Sequence, residues 1–431
     1  MARGMVIIGA GECGGRAALA LRDLGYDGPV TLVGDEPHLP YERPPLSKEA
    51  MASDAPAIKA IASDEVLAEK SIRHIHSVQA VAIDRAAHTV RLSDGSALPY
   101  DKLLLATGST PRKLPMPGLG GRCVYLRTFA DALAIRAHLR AGNRIAVIGG
   151  GFIGLELAAA ARKLGASVTV IEAQPRILMR GVPAEIAEII HKAHVAEGVD
   201  VVCGQGIASI ADDGKEVRVM LAGGREISAD LAVIGIGAVP VTGLAAEAGL
   251  AIENGIAVDA ELRSSDPDIF AAGDCCSFPL AVYGGRRVRL EAWRNAQEQG
   301  ALGARNMLGA GEAHAAVPWF WSDQYGLSLQ IAGLSDEGRS TVRRDLSDGA
   351  FILFHLAEEG RLVAASGIGP GNAVARDIRL AEMLIGKRAK PSVEALGSPD
   401  VKLKALLAPE RSHRLADGGA APHLPAGILS P

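Results

Sequence analysis

The sequence predicts an α/β protein with two Rossmann-like dinucleotide-binding domains and a smaller α+β domain towards its C-terminal end. Three observations lead there. A strand, a glycine turn, a helix and a second strand ending in acidic residues occur twice, over 6–36 and 145–172. Three more apolar runs, at 103–108, 231–237 and 269–274, each end in a turn of small residues, as strands buried on both faces of a parallel sheet do. From about 318 onward, short strands separated by turn signals replace that pattern. With 431 residues, the chain is too long for one hydrophobic core.

The first glycine motif is V-I-I-G-A-G-E-C-G-G, in which Gly9, Gly11 and Gly14 fit G-x-G-x-x-G. These glycines serve the tight turn, close approach to a pyrophosphate, and helix–strand packing. The helix that follows presents free N–H groups and a positive dipole end to phosphate. Strand Val30 to Val33 leads to Asp35, the choice for the ribose hydroxyls, with Glu36 as the alternate.

The second motif, I-A-V-I-G-G-G-F-I-G-L-E, supplies Gly149, Gly151 and Gly154. Its second strand ends at Glu172, which suits a free 2′-hydroxyl and repels a 2′-phosphate, so NADH is favoured over NADPH. Two copies, each with an acidic strand end, form a diverged internal repeat and carry more weight than one glycine turn.

Other segments point to a flavin beside the first motif. In I-F-A-A-G-D a strand ends at Gly273, letting Asp274 reach a polyol chain; a plain helix cap is the alternative. Y-E-R-P-P-L-S-K at 41–48 is a rigid turn opening a helix. There Arg43 suits a pyrophosphate and Lys48 the electron-accepting edge of a flavin ring. The same spacing also suits two solvated loop charges.

Composition narrows the function classes. Apolar residues make up 48% and charged residues 22%, the profile of a globular protein, and a net charge of −4 argues against a general nucleic-acid binder. No apolar run reaches membrane-span length and no signal-peptide pattern precedes the first strand, so cytoplasmic residence is the expectation. The five cysteines, Cys13, Cys123, Cys203, Cys275 and Cys276, show no metal or C-x-x-C spacing. No cysteine lies in 38–50, where a disulfide reductase or a peroxide-reducing oxidase needs one. Whether Cys275 and Cys276 have a redox role stays open.

Taken together, Y-E-R-P-P-L-S-K, both glycine motifs, I-F-A-A-G-D, E-A-W-R-N-A-Q at 291–297 and P-W-F-W-S-D-Q at 318–324 resemble the FAD-dependent ferredoxin reductases that serve Rieske oxygenases and cytochromes P450. The resemblance covers about 5 to 405. It implies a glutathione-reductase-like FAD/NAD architecture, with FAD at the first motif and NADH at the second. It further implies that Lys48 lies near flavin N5 and pairs with Glu156, that Glu156 also lies near the nicotinamide carboxamide, and that Trp321 closes one side of the flavin pocket. Asp274 would bind ribitol, the helix opening near Gln297 would face the pyrimidine end, and Thr107 and Arg112 would border the adenine half. Read without the resemblance, Glu156 also suits a helix surface and Trp321 a core.

The implied partner is a small acidic [2Fe–2S] ferredoxin. Arg286, Arg287, Arg289 and Arg294 form a candidate docking patch, and Arg376, Arg379, Lys387 and Arg388 a second one. The expected division is an FAD domain from 1–115 and 246–317, an NADH domain from 116–245 and a C-terminal domain from 318–407. The Gly-, Pro- and Ala-rich stretch 408–431 is expected to be disordered. A rubredoxin reductase differs only in its acceptor. An NADH-sensing flavoprotein of the apoptosis-inducing-factor type is the competing class.

Overall fold

Continuous apolar runs form the centres of two parallel sheets. In the first, Met5–Ile8 lies between Val30–Val33 and Lys102–Leu105, with Ile72–Ile75 and Ile269–Ala271 at the edges. In the second, Arg144–Ile148 lies between Ser167–Glu172 and Leu231–Ile234, with Asp200–Cys203 and Cys123–Val124 outside them. The central strands are buried on both faces, which is why they read as unbroken MVII and IAVI. The structure, a computed structural model, describes residues 3–407. The stretch 408–431 lies outside the described residues.

Register exposes a difference between the repeats. Ile8 pairs with Val33, and Ile148 with Ile171. The next residue is Gly34 in the first unit and Glu172 in the second. Asp35 therefore stands one place beyond the position of Glu172, and it is exposed.

The third sheet is antiparallel, in the order Trp319–Gln324, Leu327–Gly333, Leu362–Pro370, Phe351–Leu356, Ser340–Asp345. Helix Ala375–Gly386 covers it, burying Ile378, Ala381, Leu384 and Ile385 at helical spacing. Four of these strands follow the short-strand pattern expected from about 318 onward. The strand Trp319–Gln324 does not, because apolar and polar residues fail to alternate along it. A two-residue turn, Tyr325-Gly326, joins it to its neighbour with both φ angles positive, +50° and +78°, as a type I′ hairpin requires. Among the described residues no helix is long and apolar enough to cross a membrane.

Candidate functional site

Each glycine motif builds the same cradle. Gly9 and Gly149 both have φ +110°, and a Cβ there would stand 2.1 and 2.3 Å from the carbonyl oxygens of Ala106 and Gly235. Gly14 and Gly154 pack against the carbonyls of Gly9 and Gly149. Gly11 and Gly151 differ: each caps its helix, Glu12–Asp23 or Phe152–Lys163, and a Cβ there meets nothing within 4 Å. Open space thus lies against the N–H groups that have no partner within the helix. Two such cradles fit two diphosphate-bearing cofactors. Beside the second, Glu172 is held by the N–H groups of Gly150 (2.8 Å) and Gln174 (2.7 Å), carboxylate facing the turn.

Near the first cradle, Glu36 rather than Asp35 is engaged. It accepts from Tyr41 Oη at 2.6 Å and from Arg43 Nη2 at 2.7 Å. Arg43 also donates to the backbone carbonyl of Arg127, and the two side-chain charges act on each other. Burial, and then the Arg43 charge, push the Arg127 pKa down. An anion between the two would relieve that cost, which is a fit for a pyrophosphate. Sequence reasoning missed Arg127; the capping box of Thr128 and Asp131 marks the turn holding it but says nothing of what it faces. Asp274 sits in a one-turn 3₁₀ segment after Gly273 (φ +81°), accepting from Ser109 Oγ at 2.9 Å and Arg127 Nη2 at 3.4 Å. Thr107 lies two residues past the strand Lys102–Leu105, beside Gly9, and donates to Val241 O at 2.6 Å. Arg112 is exposed next to Gly237, just beyond the strand Ser109–Pro111.

Lys48, Glu156 and Trp321 converge from a 3₁₀ turn, a helix and a strand. Lys48 Nζ lies 3.5 Å from Glu156 Oε1, 3.9 Å from Asp323 and 5.2 Å from the centre of the Trp321 ring. Glu156, 8% exposed, also accepts from Ser47 Oγ and Ser322 Oγ, each at 2.6 Å. A buried carboxylate needs such partners, and here they come from two separate parts of the chain, 47–48 and 322. All three tryptophans gather at this point: Trp321 stacks on Trp319 (5.3 Å) and meets Trp293 edge-on (5.6 Å). The helix Trp293–Met307 opens four residues before Gln297, so its free N–H groups are those of 293–295 and Gln297 stands a turn inside. Two buried nitrogens without partners, Trp293 Nε1 and Arg289 Nε, lie at that opening.

The four-arginine patch carries little free charge. Arg286 pairs with Asp336 and Glu337, Arg287 with Glu253, Arg289 with Glu291, and Arg294 with Glu298 and Glu382. On helix Ala375–Gly386, Arg379 pairs with Glu382 at 2.7 Å but is exposed, as is Arg376, with Lys387 and Arg388 just past the helix end. Cys275 and Cys276 are buried free thiols whose pKa values burial pushes up, which leaves no reactive thiolate.

Comparison with known proteins agrees with this layout. The family described as pyridine nucleotide-disulphide oxidoreductase matches residues 3–300, and a reductase C-terminal domain matches 319–407. The ferredoxin–NAD(+) reductase component of an anthranilate 1,2-dioxygenase system from Burkholderia cepacia is 43% identical, over 93% of this chain and 98% of its own. The ferredoxin reductase for the CYP199A2 system of Rhodopseudomonas palustris superposes with a TM-score of 0.89 at 34% identity, covering 94% of this chain and all of that one. The reductase in a covalent putidaredoxin reductase–putidaredoxin complex gives 0.88 at 35% identity, covering 94% of this chain and 98% of that one. The chain therefore belongs to the pyridine nucleotide-disulphide oxidoreductase family, in its ferredoxin reductase branch.

Proposed function

We propose that this chain is an NADH-dependent, FAD-containing ferredoxin reductase that feeds single electrons to a small acidic [2Fe–2S] ferredoxin of a Rieske oxygenase or P450 system. The observation that carries this is the convergence of Lys48, Glu156 and the three tryptophans between two nucleotide cradles. Bound FAD supplies the chemistry that links a two-electron donor to a one-electron acceptor. The protein's part is binding, orientation and charge. The first cradle, with Arg43, Arg127 and Asp274, holds the flavin nucleotide; the sequence blocks 1–115 and 246–317 form that unit. The second cradle, within 116–245, holds NADH, with Glu172 on the ribose. Glu156 orients the nicotinamide, so hydride transfer draws on proximity. Lys48 and the opening of helix Trp293–Met307 place positive potential where reduction brings electron density.

Docking fits the second basic group better than the first. Arg376, Arg379 and Lys387 lie on one helix face around exposed Met383. Arg379 also lines, with Trp319 and Arg294, a hollow of about 430 Å³ beside the tryptophans. Glu382 lies in the same hollow between Arg294 and Arg379, so the net charge there is positive by one, which suits an acidic partner, and the adjacent indoles shorten the path out.

The test is NADH-driven reduction of candidate [2Fe–2S] ferredoxins by the purified, flavin-loaded chain. Rapid turnover is expected. The double substitution Arg376→Glu and Arg379→Glu should slow ferredoxin reduction about tenfold or more while sparing ferricyanide. Flavin reduction that is slow, with no ferredoxin reduced, would favour the sensing protein instead.

A further inference from the structure

Glu156 is the end point of a longer chain of polar side chains that no step above uses. Ser322 Oγ lies 2.6 Å from Glu156 Oε1, and Gln324 Nε2 lies 3.0 Å from Ser322 Oγ. Gln324 Oε1 lies 2.7 Å from His194 Nε2, and Tyr325 Oη lies 3.2 Å from His194 Nδ1. Ser322, Gln324 and His194 are buried, His194 completely.

Chemistry gives this chain one direction. An ionised carboxylate only accepts, so Ser322 must donate its single proton to Glu156. The Ser322 oxygen then accepts from the Gln324 amide nitrogen. That turns the amide oxygen towards His194, which must donate from Nε2. A neutral imidazole is then an acceptor at Nδ1, where the Tyr325 hydroxyl donates. Burial, which holds the His194 pKa below its usual value, agrees with the neutral ring.

The backbone is arranged to suit. Alternation along Trp319–Gln324 sends Trp319, Trp321 and Asp323 to one face and Phe320, Ser322 and Gln324 to the other. The second face meets Phe152 and Glu156 on one helix and His194 on another, Ala184–Ala196. Tyr325 occupies a turn position with φ +50°, where glycine or asparagine is usual.

We infer that Ser322, Gln324 and His194 are positioning residues: their one-way series of donors fixes the Glu156 carboxylate beside Lys48 and so sets the nicotinamide for hydride transfer. This rests on the reading of Glu156 given above.

Two measurements on the flavin-loaded protein test it. The first is the ¹⁵N tautomer of His194 by NMR near neutral pH. The Nε2–H form is expected in the wild type. Ser322→Ala, two links away and touching neither ring nitrogen, should release the amide orientation and give a mixture of tautomers. The second is the flavin reduction rate at saturating NADH, which Ser322→Ala should lower about tenfold while the Kd for NAD⁺ stays within about twofold. Gln324→Met fills the same space without polar atoms and supplies the same rate reading if Ser322→Ala does not fold. A wild-type Nδ1–H tautomer overturns the inference, as does an unchanged rate in the substituted protein. Glu156→Gln separates the two ideas: if it reduces its flavin at the wild-type rate, the role of Glu156 itself fails, whatever His194 reports.

Discussion

Substituting the middle glycines tests which cradle holds which cofactor. Gly11 has φ −87° and ψ −164°, and Gly151 has φ −85° and ψ 178°, both extended conformations open to any residue. Since a Cβ at either meets nothing within 4 Å, valine there should leave the fold intact. Its methyl groups would instead occupy the space a diphosphate needs in order to come within about 2.9 Å of the helix N–H groups. Hydrogen bonds to a charged group contribute about 1.5–3 kcal/mol each. Losing two costs about 3–6 kcal/mol, or roughly 10²- to 10⁴-fold in affinity. Gly11→Val should therefore give a colourless protein that melts as apoprotein does. Gly151→Val should keep stoichiometric flavin but bind NAD⁺ at least about 100-fold more weakly. The readouts are flavin absorbance per chain, melting temperature and NAD⁺ titration. A yellow, fully loaded Gly11→Val protein would refute the assignment, and so would a Gly151→Val protein that loses flavin yet binds NAD⁺. Gly9→Ala is the contrast: its Cβ would stand 2.1 Å from Ala106 O at φ +110°, so it should lose stability as well as flavin.

Glu172→Arg combined with Gln174→Lys should raise the ratio of kcat/KM for NADPH over NADH by about tenfold or more, because a guanidinium replaces a carboxylate at the ribose. An unchanged ratio removes Glu172 from that role. Stability should fall in mild acid through two buried imidazoles. Burial lowers the pKa values of His314 and His355 to about 4, below the roughly 6.5 of an unfolded histidine. Between those values the unfolded chain binds the protons and the native chain does not, so stability drops as pH falls through the window. At pH 5 the loss is about 2 kcal/mol per histidine. Urea midpoints at pH 7.5 and pH 5 check this, and His355→Phe should flatten the difference by about that amount. A slope unchanged by the substitution would discard His355 as a source.

What the sequence makes legible is what the chain does locally. A G-x-G-x-x-G turn must use Gly9 and Gly14, because neighbouring carbonyls leave no room for a side chain. Parallel strands buried on both faces announce themselves as MVII or LAVI. The basic face of 376–387 is also local, since helical spacing alone brings those residues together. The strand Trp319–Gln324 escapes because neither of its faces is a plain apolar face. One carries two indoles and a carboxylate, the other the Ser322 hydroxyl that meets Glu156 and the Gln324 amide that meets His194, so neither shows the apolar stripe on which strand reading depends.

The candidate docking patch shows the same boundary from the other side. Arg286, Arg287, Arg289 and Arg294 are close in sequence, and proximity of like charge suggests a surface for an acidic partner. Most of their counter-charges arrive from elsewhere: Glu253, Asp336, Glu337 and Glu382 stand on other segments. Ion pairs fold the positive charge back onto the protein before any partner approaches. Arg127 fails to stand out for the complementary reason, since only folding brings it beside Arg43 and Asp274. The pairing of Lys48 with Glu156 is likewise invisible to composition or period, and resemblance alone suggests it. Charge at a site is therefore decided by long-range partners. A sequence can nominate the ions, but only the fold decides which of them remain uncompensated and free to act on a cofactor or a docking protein.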